Sequence, residues 1–564
     1  MIASKEHVFE IGLLEGRLKA AVSCNKSWGK RAGWSGRTAI PLNRWTHIAV
    51  TFDGRFIHFF QDGKPVESVP RTGKLDVTTE PFVVGGSTHI SDATFAGRID
   101  ELRIWNSVRY KPLQFVNPQK PRKVGQTHQL FLDDELIASV NELQRIINQP
   151  ARHHANPVLT WDKPWEGNCV ITWGSVLYDR REKQLKIWYQ VYKKFPPQGE
   201  RSTLLCYATS KDGVHWQKPE LGLFEYNGSK ANNIVFLGDG SHLDTATVFL
   251  DPKPTAESKY RMYWYDAGLH GIRVATSTDG MRWKPIDGIV VKSGDRCSAS
   301  YDPIRKKFNV ISRWDPSSNP RTCALWESDD GLHFQPVGEI AAPDGDDPQQ
   351  AEFYGMITFP YGGMQLGFLE MFYDRPIRKL NTQLMYSKNG HVWNRACDRQ
   401  TFLNWGTPGS WDQAWVTPAH NSPIQIDNKL YVFYQGRSTL HYAEKPYGHI
   451  GSVGLALLRV DGFASLDSVW KEGSITTAPL LLDGQTLHLN AKARPGTVFA
   501  EVLDLDGKPL AGFTRDDCQP MRNIDSIDSQ IKWRSGRSLA VFGGKPVLLR
   551  FYVQVAKLYS FWVE

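Results

Sequence analysis

Four short stretches of this chain are versions of one another: SKDGVHW at Ser210–Trp216, STDGMRW at Ser277–Trp283, SDDGLHF at Ser328–Phe334 and SKNGHVW at Ser387–Trp393. Ser-x-Asp/Asn-Gly is hairpin-turn chemistry: the acidic or amide side chain caps backbone N–H groups, and the glycine supplies a positive φ. The aromatic residue that follows is expected to pack under the turn. Each copy follows an apolar strand (LLCYAT, IRVAT, TCALWE, TQLMY). Further upstream lies a strand pair: SVLYDRREKQLKIWYQVY, TVFLDPKPTAESKYRMYWY, SASYDPIRKKFNVISRW and MITFPYGGMQLGFLEMFY. The copies begin 67, 51 and 59 residues apart, and four strands in about 50 residues describe a propeller blade. A fifth unit, NSPIQIDNKLYVFYQGR then SVGLALLRVDGFASL, lacks the turn motif. Residues 161–470 are therefore predicted to form one five-bladed β-propeller.

Outward from this array the chain stays all-β. Residues 471–564 alternate as short strands around the turn Asp506-Gly507 and read as a C-terminal β-sandwich covering one side of the propeller. Residues 1–110 hold Trp45–Phe52 (WTHIAVTF), the turn Asp53-Gly54, Phe56–Gln61, a second turn at Asp62-Gly63, and the closing run FAGRIDELRIW at Phe95–Trp105. Together these motifs resemble laminin-G-like, or concanavalin-A-like, jelly-roll domains. The resemblance implies a partial jelly-roll β-sandwich that lacks its opening strands, with Trp45 and Trp105 in its core. It also leaves room for a structural calcium, for which Asp100 and Glu101 are the candidate ligands.

Residues 111–160 read as a Pro-rich linker and chain entry, with Leu130–Ile147 ambiguous between an amphipathic helix and an extended segment. Met1–Glu10 carries no basic segment, apolar core or cleavage site and runs into a strand at His7–Leu13, so an incomplete N-terminal domain is expected. The chain has 67 aromatic residues (20 Trp, 20 Tyr, 27 Phe) among 564, a net charge of +8 and no long apolar run. These features point away from a membrane span and from the clustered basic face of a nucleic-acid binder. Seven scattered cysteines include no C-x-x-C, which argues against structural zinc and a dithiol centre. The sequence leaves open whether Cys297 pairs with Cys323, and buried thiols are the expected state.

In a propeller the inner strands line an axial funnel, and residues at their starts face its mouth. That topology selects Asp162, Trp165 and Glu166 in blade one, His242 and Asp244 in blade two, and Asp295 and Arg296 in blade three. Blade four adds Glu352 and Tyr354, and blade five adds Trp411, Asp412 and His420. Every blade is thus expected to deliver a carboxylate to one end of the axis. Mutual repulsion would favour protonating one of them, the arrangement that glycoside hydrolysis needs. Trp161, Trp165, Tyr354, Trp411 and Trp415 are candidates for stacking on sugar rings. Asp179, Asp251 and Asp302, after the first strands, read as turn residues.

The repeat, motifs such as YATSKDGVHWQKPELGL, and the appended sandwich resemble the five-bladed propeller hydrolases of glycoside hydrolase families 32 and 43. The resemblance implies two Asp and one Glu from different blades as base or nucleophile, transition-state stabiliser and general acid. That set falls on Asp244, Asp295 and Glu352, or on a set beginning at Asp162. The W-M-N-D-P-N-G run of family 32 and a clean R-D-P are both absent. The expectation is an extracellular or periplasmic monomer that acts on a poly- or oligosaccharide and requires no cofactor. A non-catalytic glycan-binding protein, a sialidase-like enzyme drawing on Arg296, Arg313 and Arg321, and a lyase using Tyr and His are the alternatives. Arg296, Arg375 and Arg378 hint at acidic sugars.

Overall fold

The computed structural model describes residues 1–564 apart from 25, 28–35, 37, 43, 44, 55, 62, 63, 88–93, 100–120, 194, 195, 197–199, 239–241, 314–319 and 443–447. The chain divides into two compact units, Met1–Lys120 and Pro121–Glu564. Among the described residues no helix is long and apolar enough to cross a membrane.

The first unit holds two antiparallel sheets. One runs in the order Arg17–Val22, Phe9–Leu14, Ala3–Lys5, Phe82–Val84, and the other is Ile48–Phe52, Phe56–Gln61, Lys64–Pro70. Leu18, Ala20, Val22, Ile57 and Phe59 fill the core. The Asp53-Gly54 turn forms as its chemistry predicts: Asp53 Oδ1 accepts from the Phe56 amide at 2.7 Å, and Gly54 has φ 88°. Trp45 is not a core residue; it is 64% exposed. The Asp62-Gly63 turn, Asp100, Glu101 and Trp105 lie outside the described residues.

The second unit contains five antiparallel blades. The first comprises Val170–Asp179, Gln184–Tyr192, Thr203–Ser210 and Ile234–Phe236, and the second Leu243–Thr255, Ser258–Asp266 and Gly271–Ser277 with two short edge strands. The third comprises Ser298–Asp302, Lys307–Ser312, Cys323–Ser328 and Gln335–Ala341. Ala351–Tyr361, Met364–Tyr373 and Lys379–Ser387, again with two short edge strands, make the fourth. The fifth is Trp415–Pro418, Lys429–Arg437 and Gly451–Arg459, and its outer strand, Ala151–Arg152, comes from before blade one. Small hydroxyls join the inner strands around the axis. Ser175 Oγ donates to His420 O (3.0 Å) and accepts from Val248 N (2.9 Å), while Thr247 Oγ1 accepts from Ala299 N (3.3 Å). Ser300 and Thr358 meet at 2.9 Å, and between blades four and five the link comes from the third strand of blade four, Thr382 Oγ1 donating to Val416 O at 3.0 Å.

The repeated turn braces one blade against the previous one. In all four copies the serine Oγ accepts from the glycine amide (2.8–2.9 Å), and the Asp or Asn Oδ1 accepts from the two amides beyond it. In two copies the glycine carbonyl receives a donor from the neighbouring blade's second strand, Trp188 Nε1 to Gly280 O at 2.5 Å and Tyr263 Oη to Gly331 O at 2.8 Å; in the other two it receives the indole N–H of the turn's own Trp216 (3.2 Å) or Trp393 (2.9 Å). Gly280 has φ +77°, and a Cβ there would stand 2.6 Å from the fully buried Trp188 ring. Gly280→Ala therefore combines backbone strain with overpacking. It is expected to cost about 1–3 kcal/mol, read as a fall in denaturation midpoint.

The C-terminal module is one nine-stranded curled sheet over its own core of Phe131, Leu489, Val498, Phe551 and Phe561. It draws on both ends of the unit. Gln129–Leu130, Ile137–Asn141 and Gln144–Ile147 pair with Ala556–Val563, Gly473–Thr477 and Ala464–Ser468. The stretch read as linker and chain entry is thus extended and woven into the module from residue 122 onward. Ala464–Ser468, assigned by sequence to the propeller, belongs to this sheet. Buried Asp461 ties module to propeller, accepting from His128 (2.6 Å), Ser560 (2.6 Å) and Tyr361 (2.9 Å). All seven cysteines are buried free thiols, so Cys297 and Cys323 do not pair.

Candidate active site

Blade two supplies the most constrained residue of the funnel. Asp244 is the second residue of the inner strand, where the pairing register slips between Asp244 and Thr247, and Thr245 takes φ +52°. A bulge of this kind re-aims a side chain, and a β-branched residue at positive φ persists only when its surroundings enforce it. Gln190, on the second strand of blade one, does so. Its Nε2 donates to Asp244 Oδ1 (3.0 Å) and its Oε1 accepts from the Thr245 amide (2.9 Å). His242 stands beside the carboxylate, its Nε2 3.7 Å from Asp244 Oδ2 and its Nδ1 2.8 Å from Ser202 Oγ. Burial would lower the histidine pKa, but Asp244, by hydrogen bond and by charge, and Asp295 outweigh it and raise it.

Asp295, half exposed, is bound by Arg313 Nη2 at 3.0 Å. Arg296 points the other way, down the axis. Its Nε donates to Glu370 Oε2 (2.7 Å), its Nη2 to Glu370 Oε1, and its Nη1 to His420 Nε2 (2.7 Å). With Nε2 accepting, His420 Nδ1 carries the proton toward Thr247 Oγ1, 2.9 Å away. Burial, and then the Arg296 charge, push the His420 pKa well below the ordinary histidine range, so the ring is neutral. Gly355 makes room for this floor: a Cβ there would come within 2.8 Å of Glu370 Oε2 and 2.9 Å of the Arg296 side chain.

Blade four brings Glu352, whose Oε2 accepts from Arg321 Nη1, and Tyr354, set on a second bulge. A cavity of about 340 Å³ opens beside Glu352, lined also by Pro320, Asp344, Gln350 and Arg375. Tyr354 belongs to an aromatic group that crosses the mouth, 6.5 Å from Trp173, 5.5 Å from Trp415 and 5.8 Å from Phe372 between ring centres. Burial, then the Asp295 charge, raises its phenol pKa. Tyr192, pushed up to about 12 mainly by burial, and His441, stacked on Trp415, complete the group.

The funnel takes carboxylates from blades two, three and four; blades one and five do not supply them as the sequence suggested. Glu166 is fully buried within blade one, accepting from Tyr189 (2.6 Å), Lys218 (2.8 Å) and the amides of Asp162 and Lys163. Trp165 donates to Asn233 (3.0 Å), and Asp162 is a surface residue held by Lys218. Asp412 faces the closing strand, bound by Arg152 (2.8 Å) and Tyr434 (3.2 Å), and Trp411 stacks on Tyr434. These contacts hold Glu166, Trp165, Trp411 and Asp412 within their own blades and Asp162 at the surface. Sequence reasoning missed Trp173, Gln190, Tyr192, Glu370 and Arg437. A readable signal existed, because a polar residue interrupts the second strand near its end in KIWYQVY, GFLEMFY and VFYQGR.

A larger cavity of about 830 Å³ lies between blade five and the C-terminal module, lined by Arg152, His153, His154, Lys429 and Asp525, away from the bulged carboxylates. Among the described residues no group of three His, Cys, Asp or Glu is arranged to hold a metal ion.

Residues 1–111 match the sequence profile of the concanavalin A-like lectin/glucanases superfamily. The first unit is a laminin-G-like, concanavalin-A-like domain. No curated protein matches the chain. Solved structures with some likeness include an N-acetylgalactosamine deacetylase from F. plautii (18% identity, 61% of this chain and 96% of that one, TM-score 0.38). Others are a fructofuranosidase from Schwanniomyces occidentalis (10%, 74% and 98%, 0.38) and an exo-beta-1,3-galactanase from Phanerochaete chrysosporium (10%, 73% and 99%, 0.35). With TM-scores this low, these likenesses lend nothing to the reading of the funnel.

Proposed function

We propose that the funnel hydrolyses glycosidic bonds of a poly- or oligosaccharide. The observation that carries this reading is Asp244, a carboxylate fixed on a strained bulge by Gln190 at the edge of an aromatic-lined mouth. In this reading Asp244 is the base or nucleophile. Asp295, on the next blade, faces the developing positive charge of the sugar ring. Glu352 gives its proton to the leaving oxygen through Oε1, which has no partner among the described residues, while Arg321 holds Oε2. Tyr192, the part-buried aromatic of this group, presents ring surface to the sugar over a buried layer of Tyr354, Trp173 and Trp415. Secretion to the cell exterior or periplasm fits such a substrate.

Because Asp295 and Glu352 are each ion-paired to an arginine, a funnel that only binds glycan is the second reading. The sialidase-like alternative finds no free arginine triad: Arg296 is spent on Glu370, Arg313 on Asp295 and Arg321 on Glu352. Incubating the full chain with neutral and acidic polysaccharides is expected to release new reducing ends from one class. Glu352→Gln should abolish that release while sugar binding survives. Binding without release by the unaltered protein would favour the binding-only reading, and an unsaturated, ultraviolet-absorbing product would indicate a lyase.

A further inference from the structure

Arg437, at the end of the second strand of blade five, is a buried cation with no carboxylate partner among the described residues. Its side chain is among the largest fully buried ones, at 1% exposure. Its guanidinium lies 3.9 Å from the Trp415 ring centre, 4.8 Å from that of Trp173 and 5.7 Å from that of Tyr192. Its only hydrogen bond among the described residues is a long one, Nη2 to Gln435 Oε1 at 3.4 Å, and its Nε is buried without an acceptor. Gln435 is itself engaged, donating to Thr417. The indole N–H groups of Trp173 and Trp415 and the Nε of Arg313 are likewise buried without acceptors. Four unmatched N–H donors thus come from blades one, three and five. The funnel's carboxylates do not reach these four N–H groups: Asp295 is bound through Arg313 Nη2, Glu352 and Glu370 are paired with Arg321 and Arg296, and Asp244 is held by Gln190.

Buried charges in proteins are ordinarily paired, and buried donors are ordinarily satisfied. Aromatic faces offset part of the cost at Arg437, but they do not accept its in-plane N–H groups. We propose that Arg437, between Trp173 and Trp415, forms a subsite for the carboxylate of a uronic sugar. A planar carboxylate suits the fork of a guanidinium, whereas a sulfate ester is tetrahedral. The assignment rests on the sugar occupying this mouth, as proposed above. It goes further in making the substrate acidic.

The test uses the full chain with galacturonate and glucuronate oligosaccharides, their carboxyl-reduced neutral counterparts, and a sulfated galactan oligosaccharide, read by calorimetric binding and reducing-end release. At least one uronate is expected to bind about tenfold or more tighter than its reduced counterpart. Arg437→Met is expected to weaken that binding about 30-fold or more while leaving the neutral counterpart unchanged, with Arg437→Lys intermediate. Equal binding of charged and reduced sugars by the unaltered protein, binding of no uronate, or preference for the sulfated probe overturns the assignment, and none of these needs a variant that folds. Equal weakening of charged and neutral sugars by Arg437→Met also overturns it. Uronate binding that depends on Arg437 without any bond cleavage would uphold the subsite and sink hydrolysis. Cleavage of neutral sugars alone would do the reverse.

Discussion

Asp244→Asn is expected to lower kcat by about 10²–10⁴-fold, the usual contribution of a positioned acid or base, while the protein stays folded and still binds sugar. Asparagine keeps an oxygen to accept from Gln190 Nε2, so the clamp on the bulge can persist. What disappears is the negative charge, and a neutral amide neither attacks a sugar carbon nor takes a proton from water. A second readout separates this from mere distortion. Asp244 supplies the leading contributions that raise the His242 pKa against burial, so the His242 ring should titrate at lower pH in the variant, followed by its NMR resonances. The sign is fixed: removing a neighbouring anion disfavours the protonated ring. Retained kcat would remove Asp244 from the chemistry. A lost kcat with an unmoved His242 titration would mean that the two groups do not interact as described.

Arg296→Met should be the most damaging single change for stability, costing about 3–5 kcal/mol. Arg296 and Glu370 are 3% and 0% exposed as side chains, and the guanidinium also donates to neutral His420. Truncating the cation leaves a carboxylate buried beside a ring that cannot charge without its own desolvation cost. Replacing both members, Arg296→Met with Glu370→Leu, removes the stranded charge and is expected to recover most of the loss, since a buried pair exchanged for apolar side chains is often near neutral. Denaturant unfolding followed by tryptophan fluorescence checks both. A single variant costing less than about 1 kcal/mol, or a double variant no better than the single, would show that the pair is solvated enough to lose a partner cheaply.

The propeller was legible because its repeated signal is local. Ser-x-Asp-Gly caps its own backbone, so four copies announce four blades whatever surrounds them. The site was half legible. Asp244, Asp295, Arg296, Glu352 and Tyr354 follow from strand starts, but the direction of each side chain is set by bulges and by distant partners. Asp412 has the same sequence credentials as Asp244, yet Arg152, 260 positions earlier, turns it toward the closing strand. Arg437 and Glu370 were unread because they sit inside apolar strands, where only antiparallel pairing brings a strand's end beside the next one's start. Residues 122–147 looked like linker for a similar reason: Gln144–Ile147 pairs with Ala464–Ser468, more than 300 positions away.

That distant pairing bears on how the protein is made. The outer strand of blade five and several strands of the C-terminal sheet leave the ribosome before blade one, and Asn156 must wait for Leu455, 299 positions later, to meet its partner. At about 5–20 residues per second, the nascent chain exposes these edges for tens of seconds. Non-local pairings of this kind form late. A ribosome that stalls within blade five would therefore release a ring that cannot shut, with unsatisfied strand edges at its seam, and so a substrate for chaperones and proteases.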